Sequence, residues 1–110
     1  MTKQQAIQLF EERKVRTVWD DGQEKLYFSV VDVVAVLTDS TDPKQYVNKM
    51  QSRDEMLKLN WGTICTLVPM LSQDGKMHKE MAAAQEQLFR LIQSIPSPKA
   101  EPFKQWMGNV

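Results

Sequence analysis

The sequence predicts an α+β fold in which small antiparallel hairpins pack with about five short helices. The first observation is that apolar residues change between helical spacing and strand spacing along the chain. The second is that Asp-Gly pairs at 21–22 and 74–75 each separate two largely apolar runs, which is typical of hairpin turns. With 110 residues, of which 42% are hydrophobic and 25% charged, the chain has the size and composition of one globular domain.

The first two elements are predicted to be a helix and a hairpin. Thr2 and Gln5 have the spacing of a capping box, and the helix expected over residues 2–13 would have an apolar face formed by Ala6, Leu9 and Phe10. The runs "VRTVW" and "KLYFS" then flank "DDGQE", which predicts a hairpin near residues 15–28.

The valine-rich segment that follows could be a buried strand or a helix. Its apolar residues recur at i, i+3, i+4 and i+7, namely Val30, Val33, Val34 and Leu37. A strand would place the carboxylate of Asp32 among the valines of one face, and a buried unpaired carboxylate costs several kcal/mol. The weak helix propensity of valine costs only a few tenths of a kcal/mol per residue. We therefore predict a helix over residues 30–38, capped by Ser29.

A second helix is predicted over residues 43–53. Asp42 is a suitable N-cap, and proline at the first helical position loses no hydrogen bond. Residues at helical spacing are expected to face the core, namely Pro43, Tyr46, Val47 and Met50. The two predicted helices are joined by a short turn.

The remainder of the chain is predicted to form another hairpin and two helices. "TICTLVPML" and "KMHKEM" surround "SQDG", which indicates a hairpin near residues 64–79, and Pro69 restricts its first strand to a sheet edge or an irregular stretch. Helical spacing returns near residues 83–95, and a last short helix is expected near residues 102–108.

Composition and motifs argue against several classes of function. The sequence has no phosphate-binding glycine loop and no nucleophile elbow, so we predict that it is not an enzyme. Cys65 and His78 are the only cysteine and histidine, too few for a zinc site, and no cofactor is expected. The longest aliphatic run, Val33 to Leu37, is far too short to span a membrane. A cytoplasmic location with no membrane partner is expected.

One surface has the composition of a nucleic-acid interface. The outward residues of the second predicted helix include cations, amides and a hydroxyl but no acid. Amides can pair with adenine edges, and cations can reach phosphates or guanine. The nucleic-acid-binding residues expected here are Lys44, Gln45, Asn48, Lys49, Ser52 and Arg53. The alternative, an ordinary solvated helix face, stays open on these residues alone.

Three segments together resemble a known family: "WDDGQEKLYFSVVDVVAVLTDSTDPKQYV", "DGKM" and "EQLFRLIQSIPSPKAEPFKQWM". They are similar to the Bro-N domain, the amino-terminal module of prophage antirepressors, baculovirus Bro proteins and DNA-damage-inducible protein D. The resemblance covers nearly the whole chain from Val15 onward. It implies one α+β DNA-binding domain over residues 1–110, the amino-terminal module of a longer protein. The sequence departs from the family pattern at Val47, at "KEMAAAQEQ" and over residues 54–73.

Two functions of different classes follow. The first is a DNA-binding module of phage or mobile-element origin, antirepressor-like or associated with the DNA damage response, whose partner is double-stranded DNA. A homodimer is expected because symmetric duplex sites are commonly bound by symmetric proteins. The second is a protein-interaction module that opposes or titrates a regulator protein without contacting DNA. The balance of 14 basic and 14 acidic side chains is compatible with the second.

Overall fold

Five antiparallel strands form one sheet in the order β1-β2-β3-β5-β4. A computed structural model describes the backbone of residues 3–110 and the side chains of residues 5–110. The strands are β1 (Lys3–Phe10), β2 (Arg13–Asp20), β3 (Lys25–Ser29), β4 (Thr66–Leu71) and β5 (Met77–Ala84). Hairpins join β1 to β2, β2 to β3, and β4 to β5, while β3 pairs with β5 across the long helical connection.

Six helices accompany the sheet in the described part of the chain. They are α1 (Val30–Thr38), α2 (Pro43–Arg53), α3 (Glu55–Leu59), α4 (Trp61–Ile64), α5 (Gln85–Ile92) and α6 (Ala100–Gly108). The predicted α+β class is confirmed, as are the hairpins near 15–28 and 64–79 and the helices over 30–38 and 43–53. The helix predicted near 102–108 begins two residues earlier. The one predicted near 83–95 is shorter than expected: it begins later because residues 82–84 complete β5, and it ends at Ile92. The sequence did not predict α3 and α4.

The helix predicted over residues 2–13 is wrong. Strand β1 pairs with β2 along its whole length, from Lys3 opposite Asp20 to Phe10 opposite Arg13. Glu11 and Glu12 form the two-residue connection, and both have positive φ angles, 49° and 66°. Two successive left-handed residues are typical of a type I′ turn, whose twist matches that of the flanking strands.

The apolar spacing near the amino terminus was misleading because its residues lie on opposite faces of a strand, some buried and some exposed. A helix would have placed Leu9 and Phe10 together on one buried face. In the strand, successive side chains point to opposite faces, so Phe10 enters the core while Leu9 is 59% exposed. The predicted cap at Thr2 lies outside the described residues.

The two faces of the sheet pack against different hydrophobic clusters. Phe28 belongs to the main core, which the helices cover, whereas its neighbour Tyr27 packs against a small second cluster on the other face. That cluster consists of Val18, Val68, Met70 and Ala82. The side-chain amide of Gln5 donates to the carbonyl of Pro69 (3.0 Å) and accepts from the N–H of Leu71 (3.4 Å). Strand β4 thus reaches back to β1 and β2, and its edge accommodates Pro69 as expected.

The main core explains why the valine-rich segment is helical. Val30, Val33, Val34 and Leu37 are all buried, and Asp32 lies at the margin of the core, where it meets Arg16. The Oγ of Ser29 accepts a hydrogen bond from the N–H of Asp32 at 3.4 Å, as predicted for the N-cap. Helix α1 thereby buries its apolar stripe and keeps its carboxylate paired.

Candidate nucleic-acid interface

All six residues predicted to bind nucleic acid lie exposed on one face of α2. They form two adjacent columns, because residues four apart lie above one another on a helix. One column contains Lys44, Asn48 and Ser52, and the other contains Gln45, Lys49 and Arg53. An 11-residue helix is about 16 Å long, so the face presents three cations, two amides and a hydroxyl over three turns.

The opposite side of α2 holds the helix against the main core. Val47 and Met50 are buried, with 2% and 3% of their surface exposed, and Tyr46 packs partly buried beside them. Asp42 caps the helix by accepting from the N–H of Gln45 at 3.2 Å. The predicted division of α2 into an inward apolar side and an outward polar side is confirmed; which ligand the outward side meets stays a prediction.

The cations of this face are not neutralised by neighbouring carboxylates. In the part of the chain that the structure describes, Lys44, Lys49 and Arg53 have no ion pair within 4.0 Å. The carboxylate of Asp54, which follows the helix, caps α3 through the N–H of Leu57 at 3.1 Å. The hydroxyl of Ser52 donates to the carbonyl of Asn48 at 3.0 Å, whereas the side-chain amide of Asn48 has no hydrogen-bond partner among the described residues.

Helix α1, against which α2 packs, is fixed to the sheet by a half-buried ion pair. The guanidinium of Arg16 on β2 meets Asp32 through Nε–Oδ2 (2.8 Å) and Nη2–Oδ1 (3.2 Å), and the backbone N–H of Arg16 donates to the same Oδ2 (2.9 Å). Nη1 also lies 3.7 Å from Glu80 on β5. The hydrogen bond to Asp32 is the largest contribution that raises the pKa of Arg16. A bidentate pair of this kind fixes direction as well as distance.

The turn between α1 and α2 is fixed by a second set of polar contacts. Asp39 ends α1 in a left-handed conformation with φ of 54°, and its carboxylate pairs with Arg13 and with Lys99, 3.5 Å away. The hydroxyl of Ser97 donates to the carbonyl of Leu37 at 2.5 Å. Both ends of α1 are therefore tied to other elements. These contacts fix the position of the helix–turn–helix unit, residues 30–53, in which α2 packs against α1.

A groove of about 1250 Å³ adjoins the amino-terminal end of α2. Its walls come from β1, β2, β5 and the β4–β5 turn, together with Asp32 of α1 and Lys44 of α2. Its charged and titratable residues are Lys14, Arg16, Asp32, Lys44, Asp74, His78, Lys79 and Glu80. Sequence reasoning missed this groove, because these residues are brought together by strand pairing between distant segments.

The reactive side chains elsewhere show no catalytic arrangement. Burial raises the pKa of the Cys65 thiol to about 12, as expected of a packed core cysteine. A hydrogen bond from His78 (2.9 Å) is the largest cause that lowers the pKa of the exposed Asp74. No group of three or more metal-ligating side chains occurs within the described residues. None of the helices there is long and apolar enough to cross a membrane.

The tryptophans are used mainly for packing. Trp106 makes edge contacts with Phe10 and Phe28 in the main core, and the Nε1 of Trp19 donates to Asp21 at 2.5 Å. Trp61 packs partly buried against the same core, and its Nε1 is a buried donor without a hydrogen-bond partner in the described structure. Trp61 and Trp106 both pack against the main core, so neither is an open platform for base stacking.

Comparison with known families identifies the family of this chain. The family described as "BRO family, N-terminal domain" (Bro-N) matches residues 14–110. The chain belongs to this family. The Bro-N match includes α1, α2, the groove strands β2 and β5, and both helices of the carboxy-terminal part, so the resemblance predicted from Val15 onward is confirmed. No curated protein and no solved structure matches the chain.

Proposed function

We propose that this chain is a DNA-binding module of phage or mobile-element origin, antirepressor-like or associated with the DNA damage response, that acts in the cytoplasm without catalysing a reaction. Membership in Bro-N supports this class of function. The single observation that carries the proposal is the outward face of α2, which has three cations without ion pairs among the described residues and no acid. Such a face suits a polyanion with hydrogen-bonding edges.

Each residue of the face has a role in this proposal. Helix α2 enters the major groove of duplex DNA, which is wide enough to admit an α-helix. Gln45 and Asn48 read base edges through their amides, while Lys44, Lys49 and Arg53 bind phosphates or guanine. Ser52 contributes a hydroxyl oxygen that can still accept a hydrogen bond while its proton is donated to the helix backbone.

A homodimer would increase the number of contacts with DNA. The net charge of zero gives the chain little long-range attraction to a polyanion. Two copies related by a twofold axis would place two α2 helices in successive major grooves, about 34 Å apart, on a palindromic site. Light scattering in the presence of a palindromic duplex should give the mass of two chains, and a monomer up to high micromolar concentration would contradict the dimer.

The direct test of the α2 interface is Lys49→Glu. The substitution removes a phosphate contact and adds repulsion, so duplex affinity in a mobility-shift assay should fall tenfold or more, about 1.4–3 kcal/mol. Lys25→Glu is the matched control, because Lys25 is exposed on β3 and the substitution changes the net charge equally. Both variants should keep the melting temperature within a few degrees. Equal binding by the two variants would exclude α2 as the interface.

Asn48→Ala separates recognition of sequence from attraction to the backbone. An amide that pairs with a base edge discriminates between bases by about 1–3 kcal/mol, whereas it contributes little to non-specific binding. In a selection from random duplexes, the variant should therefore recover a weaker consensus than the parent. If the consensus is unchanged at every position, Asn48 does not read bases.

The rival function is a protein-interaction module that opposes a regulator. Its support is a pair of exposed apolar side chains beside α2: Met56 and Leu59 on α3 are 67% and 79% exposed and lie one helical turn apart. A protein interface there would bind with little dependence on salt, and Met56→Ser with Leu59→Ser should abolish it. Retention of duplex binding by that double variant would favour the DNA interface on α2.

A further inference from the structure

The groove beside α2 is continuous with the proposed DNA-binding face. Lys44 belongs to both surfaces, since it is exposed in the first turn of α2 and also lines the groove. The major groove of DNA is about 12 Å wide, so a helix about 16 Å long that enters it has sugar–phosphate backbone close to its end. The groove therefore lies where the backbone of a bound duplex would pass.

The acidic residues of the groove are largely paired with other groove residues. Asp32 and Glu80 both contact the guanidinium of Arg16, and these three side chains are about one-fifth exposed. Asp74 at the β4–β5 turn pairs with His78 at 2.9 Å. The carboxylates are thus engaged within the protein, and only a small part of the Arg16–Asp32–Glu80 cluster faces the open space.

The two lysines at the margin of the groove, unlike its carboxylates, are exposed and unpaired in the described part of the chain. Lys14 on β2 and Lys79 on β5 are exposed, and neither has an ion pair within the part of the chain that the structure describes. The chain as a whole has no net charge, so binding to a polyanion requires a local surface where cations are unpaired. The groove and the α2 face together supply five such cations: Lys14, Lys44, Lys49, Arg53 and Lys79.

We infer that this groove binds the sugar–phosphate backbone of the duplex whose bases face α2, and that Lys14 and Lys79 contact its phosphates. The inference rests on the proposed function and adds a second contact surface to it. Phosphate contacts of this kind fix the register of a protein on DNA without reading its sequence. Lys14 and Lys79 therefore determine how strongly the module binds any duplex, whereas Gln45 and Asn48 determine which duplex it prefers.

The test is to neutralise the two lysines and measure the salt dependence of binding. The variants are Lys14→Gln, Lys79→Gln and their combination in the full chain, and the ligands are one selected duplex and one unrelated duplex of equal length. Each lost phosphate contact should make the slope of log K against log salt less negative by about 0.9 and weaken binding roughly tenfold near 0.1 M salt. In the combined variant the slope should be less negative by about twice that amount on both duplexes. The ratio of the affinities for the two duplexes should be unchanged.

Lys25→Gln is the control for a general loss of charge. Lys25 lies opposite Asp20, six residues along β2 from Lys14, which is about 20 Å at the usual strand rise. Its slope should equal that of the parent, and the melting temperatures of all variants should agree within a few degrees.

The outcomes separate this inference from the proposed function. If the groove variants keep the slope of the parent while Lys49→Glu weakens binding, the groove does not bind phosphates and the α2 interface stands. Reduced slopes in the groove variants with normal binding by Lys49→Glu would support a phosphate-binding groove and overturn the role of α2. If the parent binds neither duplex, both the inference and the proposed function are wrong.

Discussion

The ion pair between Arg16 and Asp32 should contribute more to folding than any exposed ion pair of this domain. Asp32→Asn keeps the shape of the side chain but removes its charge and one of its two acceptor oxygens. Both oxygens are used: Oδ2 accepts from Nε and from the backbone N–H of Arg16, and Oδ1 accepts from Nη2. The variant therefore leaves the guanidinium of Arg16 partly unpaired, although this side chain is only 21% exposed.

The expected cost follows from these contacts. Breaking a fully buried ion pair by removing one partner costs about 3–5 kcal/mol, and the residual exposure and the weaker contact of Arg16 with Glu80 place this pair at the low end. We expect the free energy of unfolding to fall by about 3 kcal/mol, which lowers the melting temperature of a domain of this size by roughly 13 °C. Thermal and urea unfolding followed by circular dichroism measure the change.

Asp39→Asn is the matched control, since it removes the same charge from the other end of α1. The carboxylate of Asp39 is 63% exposed where it meets Arg13 and Lys99, and asparagine tolerates the left-handed backbone of this position. Its substitution should cost under about 1 kcal/mol. If the two variants unfold at the same urea concentration, the Arg16–Asp32 pair does not fix α1 to the sheet as argued.

Two further predictions concern the first hairpin and the core cysteine. Glu12→Gly should stabilise the protein by about 0.5 kcal/mol. Glycine relieves a left-handed conformation that costs other residues about 1–2 kcal/mol, and part of this gain is offset by the extra freedom that glycine gives the unfolded chain. If residues 2–13 formed a helix, the same substitution would destabilise the protein by about 1 kcal/mol, so urea unfolding distinguishes the two structures by the sign of the change. Cys65 should resist a thiol reagent at pH 8 until the protein unfolds, because its pKa is about 12 in the folded state. The unfolded thiol ionises near pH 9 and the folded one near 12, so the contribution of Cys65 to stability should be intact below pH 9 and lost progressively as pH rises towards 12. Labelling of Cys65 at pH 8 as fast as that of a free thiol would contradict the buried environment.

The helix–turn–helix unit could be predicted because its local signals agree with its tertiary role. Ser29 and Asp42 are N-caps in the sequence and in the structure, and the apolar residues of both helices face the core. The argument that Asp32 could not lie among valines also held, although its partner Arg16 could not be identified, since it lies 16 residues away on a strand. Short-range signals therefore determined the elements but not the pairs between them.

Strand β1 was missed because its decisive signal is not local. A type I′ turn is usually marked by asparagine or glycine, and here it is formed by Glu11 and Glu12, whose chemistry does not indicate a turn. The full-length pairing with β2 compensates for the unfavourable turn residues. Propensity and spacing favoured a helix, and long-range strand pairing decided otherwise.

The short helices α3 and α4 and the groove were missed for two different reasons. Helices of five and four residues carry too little periodicity to stand out, although Asp54, which caps α3 through the N–H of Leu57, was a usable signal. The groove combines β1, β2, β5 and two helices, so none of its geometry follows from neighbouring residues. The polar face of α2 was predictable because it depends on the period of one helix alone.

The most direct test of the central claim, that α2 and its surroundings bind duplex DNA, is the salt dependence of binding by the parent chain. Affinity for a duplex selected from a random pool should be measured from about 50 to 200 mM salt by fluorescence anisotropy. Phosphate contacts by the five cations without ion pairs among the described residues (Lys14, Lys44, Lys49, Arg53 and Lys79) predict a slope of log K against log salt of about −4.5 per chain, since each contact contributes about −0.9. A slope near zero, or no binding to duplex DNA at the lowest salt, would contradict the DNA-binding function and favour a protein partner.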